Sequence, residues 1–388
     1  LAVRHGPLTL TDGGAFGWFA AELTPVADEA PAADLLATTG ADRLFTLAAH
    51  GTLPGEVAIG ATVPAMAFAT DEADVEFSGL TLTGRYLPGE RRLDYRWEAP
   101  STAIEDQLVS VTSRGLSGSG NMRFVETNLW LGDVELALEE AIVAPLAGNG
   151  GGPVTIRDGG FAFRQVLEAG GENLTFALNG SAALASDEVS GEVTIPFEVT
   201  GIGLDEFRRY ISLSRDLTLS PVDPAAIDDV GQAFAGSLLD MLQKSPALHV
   251  GPALLRTDGE SAEFELNGTV EGSAVARTGL EGLVTAGAIG TAWDFDAQLQ
   301  LSDGMAVKAA EMFLTEQINA QAEAMGASPE PAQVAALAAQ QAGELLAQLL
   351  GQGLLTSAGE GYAVTVVSRP GGIAVNGTPI PLAPPAGP

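Results

Sequence analysis

Apolar and polar side chains alternate with a period of two along much of the chain. Trp293, Phe295, Ala297, Leu299 and Leu301 interleave with Asp294, Asp296, Gln298 and Gln300, which predicts a strand with one buried face. Val193, Ile195, Phe197 and Val199 repeat the pattern. So do Leu174, Phe176 and Leu178; Phe264 and Leu266; Leu93, Tyr95 and Trp97; and Val134, Leu136 and Leu138. One polar face per strand predicts antiparallel sheet. Asn-Gly pairs at 179–180, 267–268 and 376–377 suit tight hairpin turns, because both residues accept positive φ. The last pair stands between Ile373 and Val375 on one side and Ile380 and Leu382 on the other. It predicts the two-residue turn of a C-terminal hairpin, with Pro379 and Pro381 keeping the returning strand at an edge.

Helical spacing is confined to the second half, with helices expected near 205–213, 222–244, 303–325 and 329–350. In the second of these, Ile227, Val230, Phe234, Leu238 and Met241 recur at helical intervals, and Ser245-Pro246 closes it. Asp303 suits the N-cap of the third. Ala327-Ser328-Pro329 separates it from the fourth, and Gly351 and Gly353 end the fourth. The short connection predicts an αα-hairpin. The expected fold is therefore α+β and β-rich: long twisted antiparallel sheets, a few helices and a C-terminal αα-hairpin packed on the sheet. Gly148-Asn149-Gly150-Gly151-Gly152-Pro153 offers either a long hairpin loop or a linker, the latter dividing a β-rich region at 1–150 from a second at 151–388. Leu1-Ala2-Val3-Arg4 opens the chain without Met, so the first region is expected to be incomplete at its start.

Charge narrows the partners. The 388 residues carry 50 Asp and Glu against 18 Lys and Arg, a formal net charge of −32. Nucleic-acid binding, which needs a positive surface to displace counterions, is excluded. Hydrophobic residues make up 46% of the chain, which excludes wholesale disorder. There is no Cys, hence no disulfide and no thiolate chemistry. No run of about 18 apolar residues suggests a membrane-spanning helix.

Candidate chemistry is sparse. His5, His50 and His249 are far apart in sequence, without the four-residue spacing of a helical metal pair. His5 before Gly6-Pro7 and His50 before Gly51 read as turns. Gly115-Leu116-Ser117-Gly118-Ser119-Gly120 lacks nucleophile-elbow spacing and reads as a flexible loop. Gly201-Ile202-Gly203 lacks the third glycine of a dinucleotide fingerprint. Asp71-Glu72-Ala73-Asp74 lacks calcium-loop spacing, and Glu139-Glu140 reads as water-facing. No catalytic residue, metal site or cofactor is expected. The apolar sheet face is expected to be core, closed by the αα-hairpin over 303–350; a face left open would instead form a trough for an acyl chain.

Several short segments carry a resemblance. His5-Gly6-Pro7-Leu8 stands near the start. Ser245-Pro246-Ala247-Leu248 follows a helix, and Gly259 and the Phe264 strand come next. The close runs Gly353-Leu354-Leu355, Gly361-Tyr362, then Ile373-Ala374-Val375-Asn376-Gly377-Thr378-Pro379. Together they resemble the YdgA-like family of bacterial envelope proteins, a family of unknown function. The resemblance gives His5, Gly6, Pro7, Pro246, Gly361, Tyr362, Asn376 and Gly377 structural roles and supplies no catalytic residues. It implies a periplasmic accessory or scaffold protein of the Gram-negative envelope, held at the inner membrane by an N-terminal anchor. Its partners would be lipid or another envelope protein. A lipid-binding trough is the alternative function, and a hydrolase with dispersed residues the third.

Overall fold

The computed structural model describes residues 2–10, 16–24, 32–40, 42–52, 55–70, 73–106, 108–126, 129–145, 152–186, 190–219, 227–283, 292–325, 330–369 and 372–380. Gly148 to Gly151 of the candidate linker, Asp71-Glu72, Ser328 and Leu382 lie outside them. Strand takes up 60% of the structure, and the class is α+β and β-rich. The chain falls into two compact units, one of residues 1–167 with 176–192, the other of 168–175 with 193–388.

The first unit contains β1 (Ala2–Leu10), β2 (Phe16–Leu23), α1 (Ala32–Thr39), β3 (Thr46–Thr52), β4 (Val57–Val63), β5 (Met66–Ala69), β6 (Ala73–Phe77), β7 (Leu80–Leu87), β8 (Arg92–Asp106), β9 (Val109–Glu126), β10 (Leu129–Pro145) and β11 (Val154–Leu167). Antiparallel pairing runs β1-β2-β3-β4-β7-β8-β9-β10-β11, and the β5-β6 hairpin joins the far half of β8. β12 (Asn173–Ala185) and β13 (Ser190–Gly203) each give residues to both units.

In the second unit, helices α2 (Leu204–Leu219) and α3 (Ile227–Leu242) precede the hairpin of β14 (Ala247–Thr257) and β15 (Glu260–Val270). There follow α4 (Gly272–Leu283), β16 (Trp293–Ser302), α5 (Asp303–Ala324), α6 (Pro331–Gly351), β17 (Thr356–Ala358), β18 (Gly361–Arg369), β19 (Gly372–Val375) and β20 (Thr378–Ile380). The sheet order is β14-β15-β16-β18-β19-β20, all antiparallel, with β17 also on β18. Here the apolar face is closed as expected. Ala306, Ala310 and Leu314 of α5 and Ala338, Ala342 and Leu346 of α6 are buried in one cluster with Leu301, Tyr362 and Val364 of the sheet. Ala338 and Ala342 are 0% exposed, so the small side chains let the two helices approach closely.

Four expectations need correction. Asn179-Gly180 and Asn267-Gly268 are not turns; they lie inside β12 and β15. Gly268 is there because its paired neighbour Phe295 leaves no room, with Phe295 Cβ 2.7 Å from where a β-carbon would stand. His5 and His50 are in strands β1 and β3, not turns. Register shifts between His5 and Thr9, and a bulge at Gly6-Pro7 in an edge strand tolerates the missing proline N–H. The Gly115–Gly120 run is the middle of β9, not a loop. Helices α1 and α4 were not expected from helical spacing.

Candidate functional site

Paired residues of an antiparallel sheet share a face, so register assigns the two faces of the first unit. One row runs Leu47, Ala61, Leu82, Trp97, Gly118, Leu136 and Phe161. The next runs Ile59, Gly84, Tyr95, Gly120, Val134 and Phe163. Tyr86, Leu93 and Met122 make a third, and Ala99 with Leu116 begins a fourth. Phe124 and Trp130 extend the band, their ring centroids 5.0 Å apart. The result is an apolar surface several strands wide. From Leu116 to Phe124 it runs eight residues along β9, about 26 Å at roughly 3.3 Å per residue.

Three of its aromatic rings lie over glycines on the neighbouring strand. A β-carbon at Gly118 would stand 2.6 Å from Trp97 Cε2. One at Gly120 would stand 2.5 Å from Tyr95 Cε1, and one at Gly51 would stand 2.6 Å from Phe19 Cε1. The glycines thus let these three rings lie down on the sheet rather than project from it. Burial pushes the Tyr95 hydroxyl above its ordinary pKa.

Nothing described in this unit covers the band. Its helix α1 lies against β5. Leu82, Leu93, Tyr95, Trp97, Met122, Val134 and Leu136 are only half-buried, and Phe161 is exposed. The opposite face is polar: Arg85, Asp94, Asn121, Asp133 and Arg164 form one row across five strands. Arg164 Nε donates to Asp133 Oδ1 at 2.6 Å, and that carboxylate raises the guanidinium pKa. The same face holds a hollow of about 540 Å³, lined by charged and polar groups that include Arg96 and Glu135.

Two residues past Leu116 and Leu138 the strands reach a cluster of alternating charge. Glu140 on β10 pairs in register with Arg114 on β9 and with Arg157 on β11. Arg157 Nε donates to Glu140 Oε2 at 3.0 Å. Arg114 Nη2 lies 3.5 Å from Glu140 Oε1, and its Nε lies 3.7 Å from Glu139 Oε2. Glu140, read from sequence as water-facing, is only 20% exposed and sits between two guanidiniums.

The residues named from sequence do not assemble into a site. His5 pairs in register with Phe19, whereas His50 pairs with Ala20, one position along. His249 is in the other unit, its Nδ1 2.5 Å from Asn267 Oδ1 in a hollow of about 330 Å³ that also includes Glu198 and Asp294. Pro246 precedes β14, its carbonyl accepting the Val270 N–H. Gly361 passes so close to the Leu301 carbonyl that a β-carbon would collide with it, and Tyr362 beside it packs on the α5–α6 cluster. Asn376 and Gly377 form the β19–β20 turn. Among the described residues no three His, Asp or Glu side chains converge as a metal site, and no helix is long and apolar enough to cross a membrane. Sequence reasoning missed the Trp97–Gly118 and Tyr95–Gly120 pairs and the Arg114–Glu140–Arg157 cluster. The alternation of Gly118 and Gly120 with Ser117 and Ser119 was the one local signal for the first two.

No curated protein and no solved structure matches the chain. One family does, over residues 2–383, described as bacterial protein of unknown function (DUF945). With nearly its whole length matched, the chain belongs to this family of bacterial proteins.

Proposed function

We propose that this protein is a non-catalytic, amphiphile-holding component of the bacterial cell envelope, and that the apolar band of its first unit takes the acyl chain. The observation that carries this reading is the band around Trp97, which nothing described in its own unit covers, in contrast to the second unit, whose apolar face is closed by α5 and α6. A contiguous apolar surface of this kind marks an interaction site. An acyl chain suits it better than a protein layer for two reasons. Protein layers interlock through projecting side chains, whereas here the rings of Trp97, Tyr95 and Phe19 lie over glycines. A face-to-face pair of copies would also bring together two chains of net charge −32. The band, at about 26 Å, is longer than the roughly 15 Å that one leaflet of a 30 Å hydrocarbon core occupies. Each methylene removed from water contributes about 0.8 kcal/mol.

The resemblance to YdgA-like proteins supports a periplasmic body tethered to the inner membrane, acting as an accessory or scaffold that holds its amphiphile rather than transforming it. Titration with single-chain amphiphiles brominated along the acyl chain tests the reading. Quenching of tryptophan fluorescence is expected in the native protein, strongly weakened in Leu136→Asp, which sets a charge in the band. Absence of quenching by every chain length tried, or equal quenching in a folded Leu136→Asp protein, overturns it.

A further inference from the structure

Resting on the acyl-chain reading, we infer that the Arg114–Glu140–Arg157 cluster, with Glu139, is the head-group end of the band, and that it selects a zwitterionic phospho-ammonium head. Three observations lead there. The first is place: Arg114 is two residues beyond Leu116 on β9, and Glu140 two beyond Leu138 on β10, so the cluster begins where the apolar rows stop. A chain laid along the band ends its polar head within one or two strand residues of these groups.

The second is unused donor capacity. Arg114 and Arg157 are 66% and 57% exposed. Between them the two guanidiniums have about ten N–H donors, and among the described residues the Arg157 Nε bond to Glu140 is the only side-chain hydrogen bond that either makes. Half-buried Glu140 holds both arginines in position while leaving most of their N–H groups free for a phosphate.

The third is the order of signs. Across β9, β10 and β11 the cluster reads positive, negative, positive, and Glu139, 70% exposed, adds an outlying carboxylate next to Arg114. Two arginines and two glutamates sum to zero. A purely anionic head would meet Glu139 and Glu140 and the field of a chain of net charge −32. A purely cationic head would meet Arg114 and Arg157. A phospho-ammonium head offers phosphate to the guanidiniums and ammonium to Glu139, so each charge finds its opposite.

The test compares monomeric amphiphiles of one acyl length that differ only in the head: phosphoethanolamine, phosphoglycerol and uncharged glycerol, measured by calorimetric titration. The phosphoethanolamine form is expected to bind about three- to tenfold tighter than either other head, the scale of exposed charge pairs. Arg157→Gln is expected to bring it to the level of the uncharged amphiphile. Glu140→Gln leaves Arg157 unopposed and Arg114 facing only the outlying Glu139, and is expected to move the preference to phosphoglycerol, which a merely structural Glu140 would not do. Equal binding of all three heads, or phosphoglycerol preferred by the native protein, overturns the inference and leaves the acyl-chain reading standing. No binding of any of the three overturns both.

Discussion

The indole of Trp97 on β8 lies over the backbone of Gly118, its directly paired neighbour on β9, and occupies the space that a side chain at Gly118 would need. Tyr95 and Gly120 repeat the arrangement one row along. Glycine weakens an isolated strand because it has no side chain to pack. Here the facing aromatic supplies the missing cover, so the pair acts as a unit across the two strands.

Gly118→Val therefore expels the indole. The expected destabilisation is about 1–3 kcal/mol, the cost of overpacking, read by urea denaturation together with a change in tryptophan emission. Gly180→Ala is the control: Gly180 lies inside β12, and nothing comes within 4 Å of its would-be β-carbon. That change is expected to be neutral or to stabilise by up to about 1 kcal/mol. A folded Gly118→Val protein with unchanged stability and emission would show that the glycine is incidental.

The same pair explains what the sequence made legible and what it hid. Strands such as Trp293–Ser302 and Arg92–Asp106 were readable because alternation is local. The α5–α6 pair was readable because a Ser-Pro break separates two apolar stripes. Gly115–Gly120 was misread because its composition alone says loop, while its partners Tyr95 and Trp97 stand some twenty residues earlier and only register connects them. Register also hid Arg114, Glu140 and Arg157, which come from three strands. Helix α4 was hidden by its own glycines, Gly272 and Gly279, the latter with φ of 67° at a kink. Whether an apolar face is covered is not written in any strand. It depends on where helices fall in the chain, and here the five described helices after β13 belong to the second unit.

Within that unit, Leu346 is 7% exposed and packs with Ala342, Ala310 and Leu314 between α5 and α6. Leu346→Ala is expected to cost about 2–5 kcal/mol through lost burial and the cavity left behind. The exposed neighbour Leu337→Ala is expected to change stability by no more than about 0.5 kcal/mol. Similar effects of the two substitutions in denaturant melts would contradict the packing.

Glu260 predicts a pH dependence. Its carboxylate reaches the N-terminus of α5, accepting from the Ser302 hydroxyl and, at 3.0 Å, from the Gly304 N–H. The Ser302 bond is the largest influence, followed by burial acting in the opposite sense, then the Met305 and Gly304 N–H groups and the charge of Lys308. Together they hold the carboxyl pKa below its ordinary value. Because the folded pKa is the lower one, the unfolded chain takes up the proton first as pH falls. The stabilisation is therefore complete above the ordinary carboxylate pKa and is lost as pH drops through the folded value. Native protein is expected to melt above Glu260→Gln at neutral pH, with the gap narrowing in acid. A gap independent of pH would mean that the charge at this cap is irrelevant.

Asn376 and Gly377 yield the last prediction. Both have positive φ, 49° and 79°, and Val375 pairs with Thr378 around them. This is the geometry that a two-residue hairpin turn of type I′ requires. Asn376 does more than turn the chain. Its N–H donates to the Thr365 carbonyl at 2.8 Å, its Oδ1 accepts the Thr365 N–H at 2.8 Å, and its Nδ2 donates to the Gly353 carbonyl at 3.1 Å. One side chain thus ties the turn to β18 and to the segment just past α6. The two positions should fail differently. Gly377→Val keeps those bonds and strains only the backbone, an expected cost of about 1–2 kcal/mol. Asn376→Ala loses both side-chain bonds and leaves a half-buried N–H and carbonyl without these partners, an expected cost of about 1–3 kcal/mol. It should also free the Gly353 region, so amide exchange is expected to quicken at both Thr365 and Leu354 in Asn376→Ala and near the turn alone in Gly377→Val. Identical exchange patterns in the two variants would reduce Asn376 to a turn former and remove the link it makes between β18 and α6.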